Sequence, residues 1–320
     1  MPPLPSSPHL LIPYAGRGSP ACREALAKLR LPKLEALLSR LALVHEDMQD
    51  DSTLSPPHER ALAAALGIQA ADGQIPWAAL EAKQAGLAPV GENDSWGIAT
   101  LCHWQVGIDD VALGDPAAIR IDATESDALL AAARPFFEED GIALHATDTP
   151  GRWLAQGEVF DGLATASIDR AIGYPVSQWS PLSDGARSLR RLQNEMQMLL
   201  YTERVNDERA ARGVPPINSF WLSGTGRLPS SHADAWPSVA DALRAPALRD
   251  DAAAWSIAWA ALDEGPVAEL LAAYTGGADV TLTLCGDRSA RRFGVQQRGL
   301  ARWAKSLFQR ENASAALGAL

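Results

Sequence analysis

Two short apolar runs near opposite ends of the sequence constrain its fold more than any other feature. "HLLIPYAG" (His9 to Gly16) closes on glycine and predicts a buried strand. "ADVTLTLCGD" (Ala278 to Asp287) alternates apolar and polar positions and predicts the clearest strand in the chain. Between them, residues 95–180 are rich in short strand signals of a different texture. Strands at both ends around a distinct middle predict an interrupted domain. The expected fold class is α/β, with a sheet-and-helix core from residues 1–94 and 230–320 and an inserted α+β module at 95–229.

Local signals fill in the elements. Leu26, Leu29, Leu34, Leu37, Leu38 and Leu41 fall at helical spacing, broken at Pro32. "SPPHERALAAALG" predicts a helix capped by Ser55, with Pro56 in its first turn and Gly67 after its end. "SWGIATLCHWQVG" predicts a strand, and "DDVALGDPAAIRID" a hairpin turning at Gly114-Asp115-Pro116. "TESDALLAAARPFFEEDG" predicts a helix capped by Thr124 and ended by Gly141. "IALHATDTPGRWLAQG" predicts two strands around Thr149-Pro150-Gly151. From Asp184 a long amphipathic helix is expected to run to Gly213 and Pro215-Pro216, followed by the strand "INSFWLSG". "DAAAWSIAWAALDEGPVAELLAAYTGG" predicts helix, with Trp255 and Trp259 on one face. "QRGLARWAKSLFQR" predicts a closing helix and "ENASAALGAL" a loose end.

Composition narrows the function classes. The 320 residues carry a net charge of −11, so the chain gains nothing from counterion release and nucleic acid is not an expected partner. Cys22, Cys102 and Cys285 are widely spaced and include no C-x-x-C, which fits a reducing compartment. The first residues lack the basic region of a signal peptide, and no stretch of 18 apolar residues exists. A soluble cytoplasmic protein without a membrane partner is the expectation.

The stretch "RVNDERAARGVPPINSFWLSGTG" (Arg204 to Gly226) carries the densest chemistry. Arg204, Arg209, Arg212 and Arg227 can converge on an anion, because guanidinium forks suit phosphate and carboxylate. Asn206 and Asn218 can bond substrate hydroxyls or hold the turn, and Gly224 and Gly226 let backbone amides approach a ligand. A solvated helix end followed by a buried strand is the plain alternative. His45, Glu46, Asp47, Asp50 and Asp51 in "LVHEDMQDD" offer a hard cation site or a solvated acidic helix end. Cys102 and His103 are adjacent in a strand and therefore face opposite sides. Ser19 is either a nucleophile or a helix cap, and Asp287 with Arg288 either holds an anion or forms an ion pair. The ten tryptophans exceed the usual needs of a core and leave some for a partner surface.

"VNDERAARGVPPINSFWLSGTGRLP" resembles a segment of the archaeal-type, cofactor-independent phosphoglycerate mutases. The matching positions are Asn206, Arg209, Gly213, Asn218, Gly224, Gly226 and Pro229. Weaker resemblance covers about residues 95–290, and the chain as a whole is similar to RpfE-type regulatory proteins. The resemblance implies an alkaline-phosphatase-like core. It also implies chemistry on two divalent metals, held by aspartates and histidines, with a serine or threonine nucleophile.

This sequence departs from that pattern. "LLIPYAGRGSP" stands where the family has an Asp-Gly after its first strand, Asp287-Arg288 replaces Asp-His, and "TASIDR" replaces Pro-Pro-His-Asp. A degenerate relative is expected, with no cofactor and with a phosphorylated or carboxylated small molecule, or a regulatory protein, as partner. The alternatives are an active mutase or phosphatase with manganese or zinc on relocated ligands near His45–Asp51 and Asp287, and a protein-interaction module.

Overall fold

The computed structural model describes residues 7–87, 94–229, 232–233, 235–295 and 313–320. The chain divides into two compact units, residues 1–52, 56–67 and 232–320 in one and residues 53–55 and 68–231 in the other. In order, it runs through β1 (His9–Ile12), α1 (Pro20–Lys28), α2 (Pro32–Leu38), β2 (Ala42–Met48), α3 (Pro57–Ala65) and α4 (Trp77–Gln84). It continues through β3 (Ser95–Cys102), β4 (Trp104–Val106), β5 (Val111–Leu113), α5 (Pro116–Ile119), α6 (Ala123–Glu139), β6 (Ala143–Ala146) and β7 (Arg152–Gln156). Short helices α7 (Ile168–Ala171) and α8 (Val176–Trp179) precede α9 (Arg187–Thr202), α10 (Arg204–Ala211) and β8 (Ser219–Arg227). Last come β9 (Ser238–Val239), α11 (Arg244–Leu248), α12 (Ala252–Leu262), α13 (Ala268–Thr275), β10 (Thr281–Cys285), β11 (Ser289–Gly294) and α14 (Ala313–Gly318).

The first unit is built on a mixed five-stranded sheet in the order β2-β11-β10-β1-β9. β1 is parallel to β10 and β9, while β10, β11 and β2 run antiparallel to one another in turn. One face of the sheet presents Leu10, Ile12, Leu282, Leu284 and Phe293 to a core shared with α1, α2, α12, α13 and α14. The other face sets Leu11, Cys285 and Ala290 against Ala61 and Leu62 of α3. Burial on both sides explains why β1 reads as an unbroken apolar run. Trp255 and Trp259 meet edge to face at 6.3 Å, and their indole N–H groups donate to the carbonyls of Tyr14 and Ala15. The first amides of α2 are capped from a distant segment: Asp263 accepts from Lys33 N and Leu34 N at 3.1 and 2.8 Å.

Several expectations are corrected in this unit. "LVHEDM" is not a helix end but the edge strand β2, and β11 was not anticipated. The end expected to be loose forms α14, which buries Ala313, Ala316 and Leu317. Ser55 does not cap α3; Pro56 occupies that place, and Ser55 belongs to the second unit, where its hydroxyl accepts from Gly73 N. The closing helix expected in "QRGLARWAKSLFQR" lies outside the described residues.

The second unit holds a four-stranded antiparallel sheet, β6-β7-β3-β8, and the small hairpin β4-β5. α6 and α9 contribute Leu129, Phe137, Leu192 and Met196 to a core with Trp153 and Phe220. α4 packs alanines on Trp96, Ile98 and Leu154, so residues 68–87 belong here rather than with the core boundary expected at 94. The β4-β5 hairpin turns before Val111, and Asp115 caps α5 instead of making that turn. Asp122, not Thr124, caps α6 through a reciprocal capping box with Glu125. The long helix breaks at Glu203, whose ψ of 132 is extended, giving α9 and α10. Among the described residues no helix is long and apolar enough to cross a membrane.

Candidate functional site

The arginine-rich stretch spans α10, the Pro-Pro turn and β8. Arg209 is 1% exposed and donates to Glu125 Oε2 at 2.7 Å, to Pro215 O at 2.9 Å and to Ile119 O. Arg212 donates to the other oxygen of Glu125. Arg204, 88% exposed, is engaged along its own helix by Glu208 at 2.8 Å. Arg227 sits at the opposite end of the nine-residue β8, where it bonds Ser95 Oγ and Asp161. At about 3.3 Å per residue, that strand holds the two ends more than 20 Å apart. The structure therefore joins Arg209 with Arg212 but does not bring Arg204 or Arg227 to them. Glu125 takes the place of the expected anion.

The asparagines and glycines are structural in the same way. Asn206 exchanges bonds with Ile217 N and O at 2.8 and 2.7 Å and reaches Leu200 O. Asn218 does the same with both backbone groups of Trp104. The β3-β8 register shifts between Trp96 and Ile98, opposite Gly224 and Thr225. Gly224 has φ +63, and a Cβ there would lie 2.9 Å from Ile98 Cδ1 and 3.0 Å from Trp77 Cβ. A glycine in the left-handed region at such a shift is the signature of a β-bulge. Gly226, at φ +135, continues the same distortion. The Gly-x-Gly stretch thus bends a strand.

In the first unit, β1 and β10 are parallel neighbours, so their carboxyl ends share one edge, the usual place for function in α/β folds. Asp287 and Arg288 lie here on a tight hairpin between β10 and β11, closed by Gly286 N donating to Ser289 O. Asp287 accepts from the Arg17 guanidinium through one oxygen and from Gly18 N at 2.7 Å through the other. Arg17 also donates to Ala247 O and lies 5.9 Å from the Tyr14 ring centre. Arg288 grips Asp51 with two bonds of 2.9 and 2.7 Å. Leu320 O accepts from Arg288 N, Ser289 N and Ser289 Oγ, so the C-terminal residues cover this edge. Ser19 accepts from Cys22 N as the cap of α1.

The relocated metal ligands expected around His45–Asp51 and Asp287 are largely engaged by arginines. Glu46 is paired with Arg291, Asp47 with Arg60, Asp51 with Arg288 and Asp287 with Arg17. Each of these four carboxylates faces a guanidinium. Among the described residues no group of three His, Cys, Asp or Glu side chains is placed to hold a metal ion.

Solved structures similar to the chain include two from archaeal sources. One is the cofactor-independent phosphoglycerate mutase from Thermoplasma acidophilum DSM 1728, at 17% identity and a TM-score of 0.39 over 97% of this chain and 95% of that one. The other is the PH0037 protein from Pyrococcus horikoshii, at 12% identity and a TM-score of 0.38 over 90% of this chain and 87% of that one. No family model matches the chain. No curated protein matches it.

Burial accounts for the remaining sequence candidates. Burial pushes the Cys102 thiol far up, and His103 instead bonds Pro216 O at 2.9 Å. Trp96, Trp153, Trp179, Trp221, Trp255 and Trp259 are buried, so most of the tryptophans are core and not partner surface. Sequence reasoning missed Glu125, although Asp122 three residues before it, ahead of an apolar run, carries the capping-box signal.

Proposed function

We propose that the chain is a phosphoglycerate-mutase-like protein that has exchanged two-metal phosphoryl transfer for a regulatory binding role of the RpfE type in the cytoplasm. The sequence resemblance supplies the family. The Arg17–Asp287 pair carries this reading, because Arg17 and the Gly18 amide between them occupy both oxygens of the one aspartate that remains of the Asp-His pattern. A guanidinium neutralises a carboxylate permanently, since it does not deprotonate in proteins. The acidic β2 edge offers no substitute, as its carboxylates are spent in the same way.

Elemental analysis after purification in manganese- and zinc-supplemented buffer tests this reading. No metal above background and a melting temperature unmoved by chelator are expected. Near-stoichiometric metal, with mutase or phosphatase activity that chelator removes, would overturn it.

A further inference from the structure

At the amino end of β1, opposite the hairpin edge, the first unit holds a cavity of about 660 Å³. Ala64 and Ala65, at the carboxyl end of the nine-residue α3, line it. The cavity is lined by His9, Ala65, Asp279, Thr281, Arg292 and the bulged Val44, among others. The bulge follows from the β11-β2 register, which shifts between Arg292 and Phe293. Such shifts re-aim side chains and recur beside binding sites.

Among the described residues, the half-buried Arg292 and the exposed Asp279 on the walls carry charges that no other side chain pairs. Arg291 points to the opposite face and pairs with Glu46, but the neighbouring Arg292 makes no hydrogen bond or ion pair among the described residues. The Asp279 carboxylate likewise has no partner among the described residues, and the two do not pair with each other. Asp279 lies four positions before Thr283, the β10 partner of Arg292, which is about 13 Å of extended chain. The carboxyl end of α3 adds partial negative charge on the Asp279 side of the balance, worth about half an elementary charge. His9 completes the wall with Nε2 bonded to Thr283 Oγ1 at 2.9 Å. Burial and then Arg292 lower its pKa to about 4, so at neutral pH it adds hydrogen-bonding capacity without a second positive charge.

A cavity with one open cation and one open anion is matched by a ligand that carries both signs. A simple anion can engage only Arg292 and a simple cation only the exposed Asp279, whereas a ligand of both signs engages the two together. We propose that this cavity binds a small zwitterion of the amino-acid class, with Arg292 holding its carboxylate as a bidentate fork and Asp279 its ammonium. The inference rests on the regulatory reading only in giving that role a ligand site.

Thermal melting of the full chain with each of the twenty free amino acids tests it, alongside the matching amine and carboxylic acid that each lack one charge. At least one amino acid is expected to raise the melting temperature saturably, while its two single-charge analogues at equal concentration do not. Arg292→Gln and Asp279→Asn should each weaken that binding by tenfold or more, and Arg291→Gln should not. In the wild-type protein the same amino acid should shift the His9 imidazole resonances, a readout independent of whether the variants fold. The proposal is overturned if no amino acid raises the melting temperature, if an analogue lacking the ammonium binds equally well, or if both variants keep wild-type affinity. Metal content does not enter this titration, so its failure is distinct from failure of the regulatory reading.

Discussion

Arg17 donates to Asp287 while the Gly18 amide takes the second carboxylate oxygen at 2.7 Å, so a segment just after β1 is clasped to the β10-β11 hairpin. The two side chains are 21% and 33% exposed, which places the pair between surface and core. Asp287→Ala removes both bonds at once. A loss of about 1–2 kcal/mol is expected, and a fall in melting temperature of about 2–4 °C per kcal/mol for a unit of this size. A variant that melts with the wild type would show that the clasp contributes nothing.

Glu125 supports two arginines and the first turn of α6. Its loss should be costly because Arg209 is left buried without its counter-charge. Glu125→Ala is expected to destabilise by about 3–5 kcal/mol. Arg212→Ala, at a half-exposed position, should cost under about 1 kcal/mol. Urea denaturation of the two variants measures the contrast, and equal losses would contradict the assignment of Glu125 as the buried anchor.

Gly224→Ala confronts both a left-handed backbone and a contact of 2.9 Å with Ile98. Strain of this kind costs about 1–3 kcal/mol. Gly213→Ala provides the comparison: it shares a positive φ, but a Cβ there meets nothing within 4 Å. The Gly224 variant should melt lower than the Gly213 variant, and the reverse order would remove the bulge as the reason for this glycine.

His9 gives stability a pH dependence of known sign. Its folded pKa, about 4, lies below the ordinary 6.5 because of burial first and the Arg292 charge second. The unfolded chain therefore takes up this proton first as pH falls. The His9 contribution is intact above about 6.5, declines below it, and is fully lost near 4. His9→Gln should flatten the stability profile across that window when unfolding is followed by urea titration at successive pH values. A wild-type profile no steeper than the variant's would refute the shift.

What was legible in the sequence followed burial. β1 and β10 are buried and read at once, and so did the helices whose leucines repeat on one face. β2 did not, because it is an edge strand whose exposed positions carry His45 and Glu46 and whose alternation slips at the bulge. β11 was hidden by Arg291 and Arg292, which look like surface in a string of letters. The expected arginine cleft failed for a related reason. Four guanidiniums near one another in sequence say nothing about Glu125, which lies 84 positions from Arg209. Composition marks a residue as charged; only the fold decides whether the chain already supplies its counter-ion.

The sheet order of the first unit also bears on how the protein is made. β1 lies between β9 and β10, and His9 meets Thr283 across 274 positions. β1 therefore has no sheet partner until the more than 200 residues between it and β9 have been made. The second unit, nearly continuous from residue 68 to 231, has all its strands in hand before that. Synthesis should yield a folded middle flanked by a waiting apolar strand, and that interval is when the chain most needs protection from aggregation.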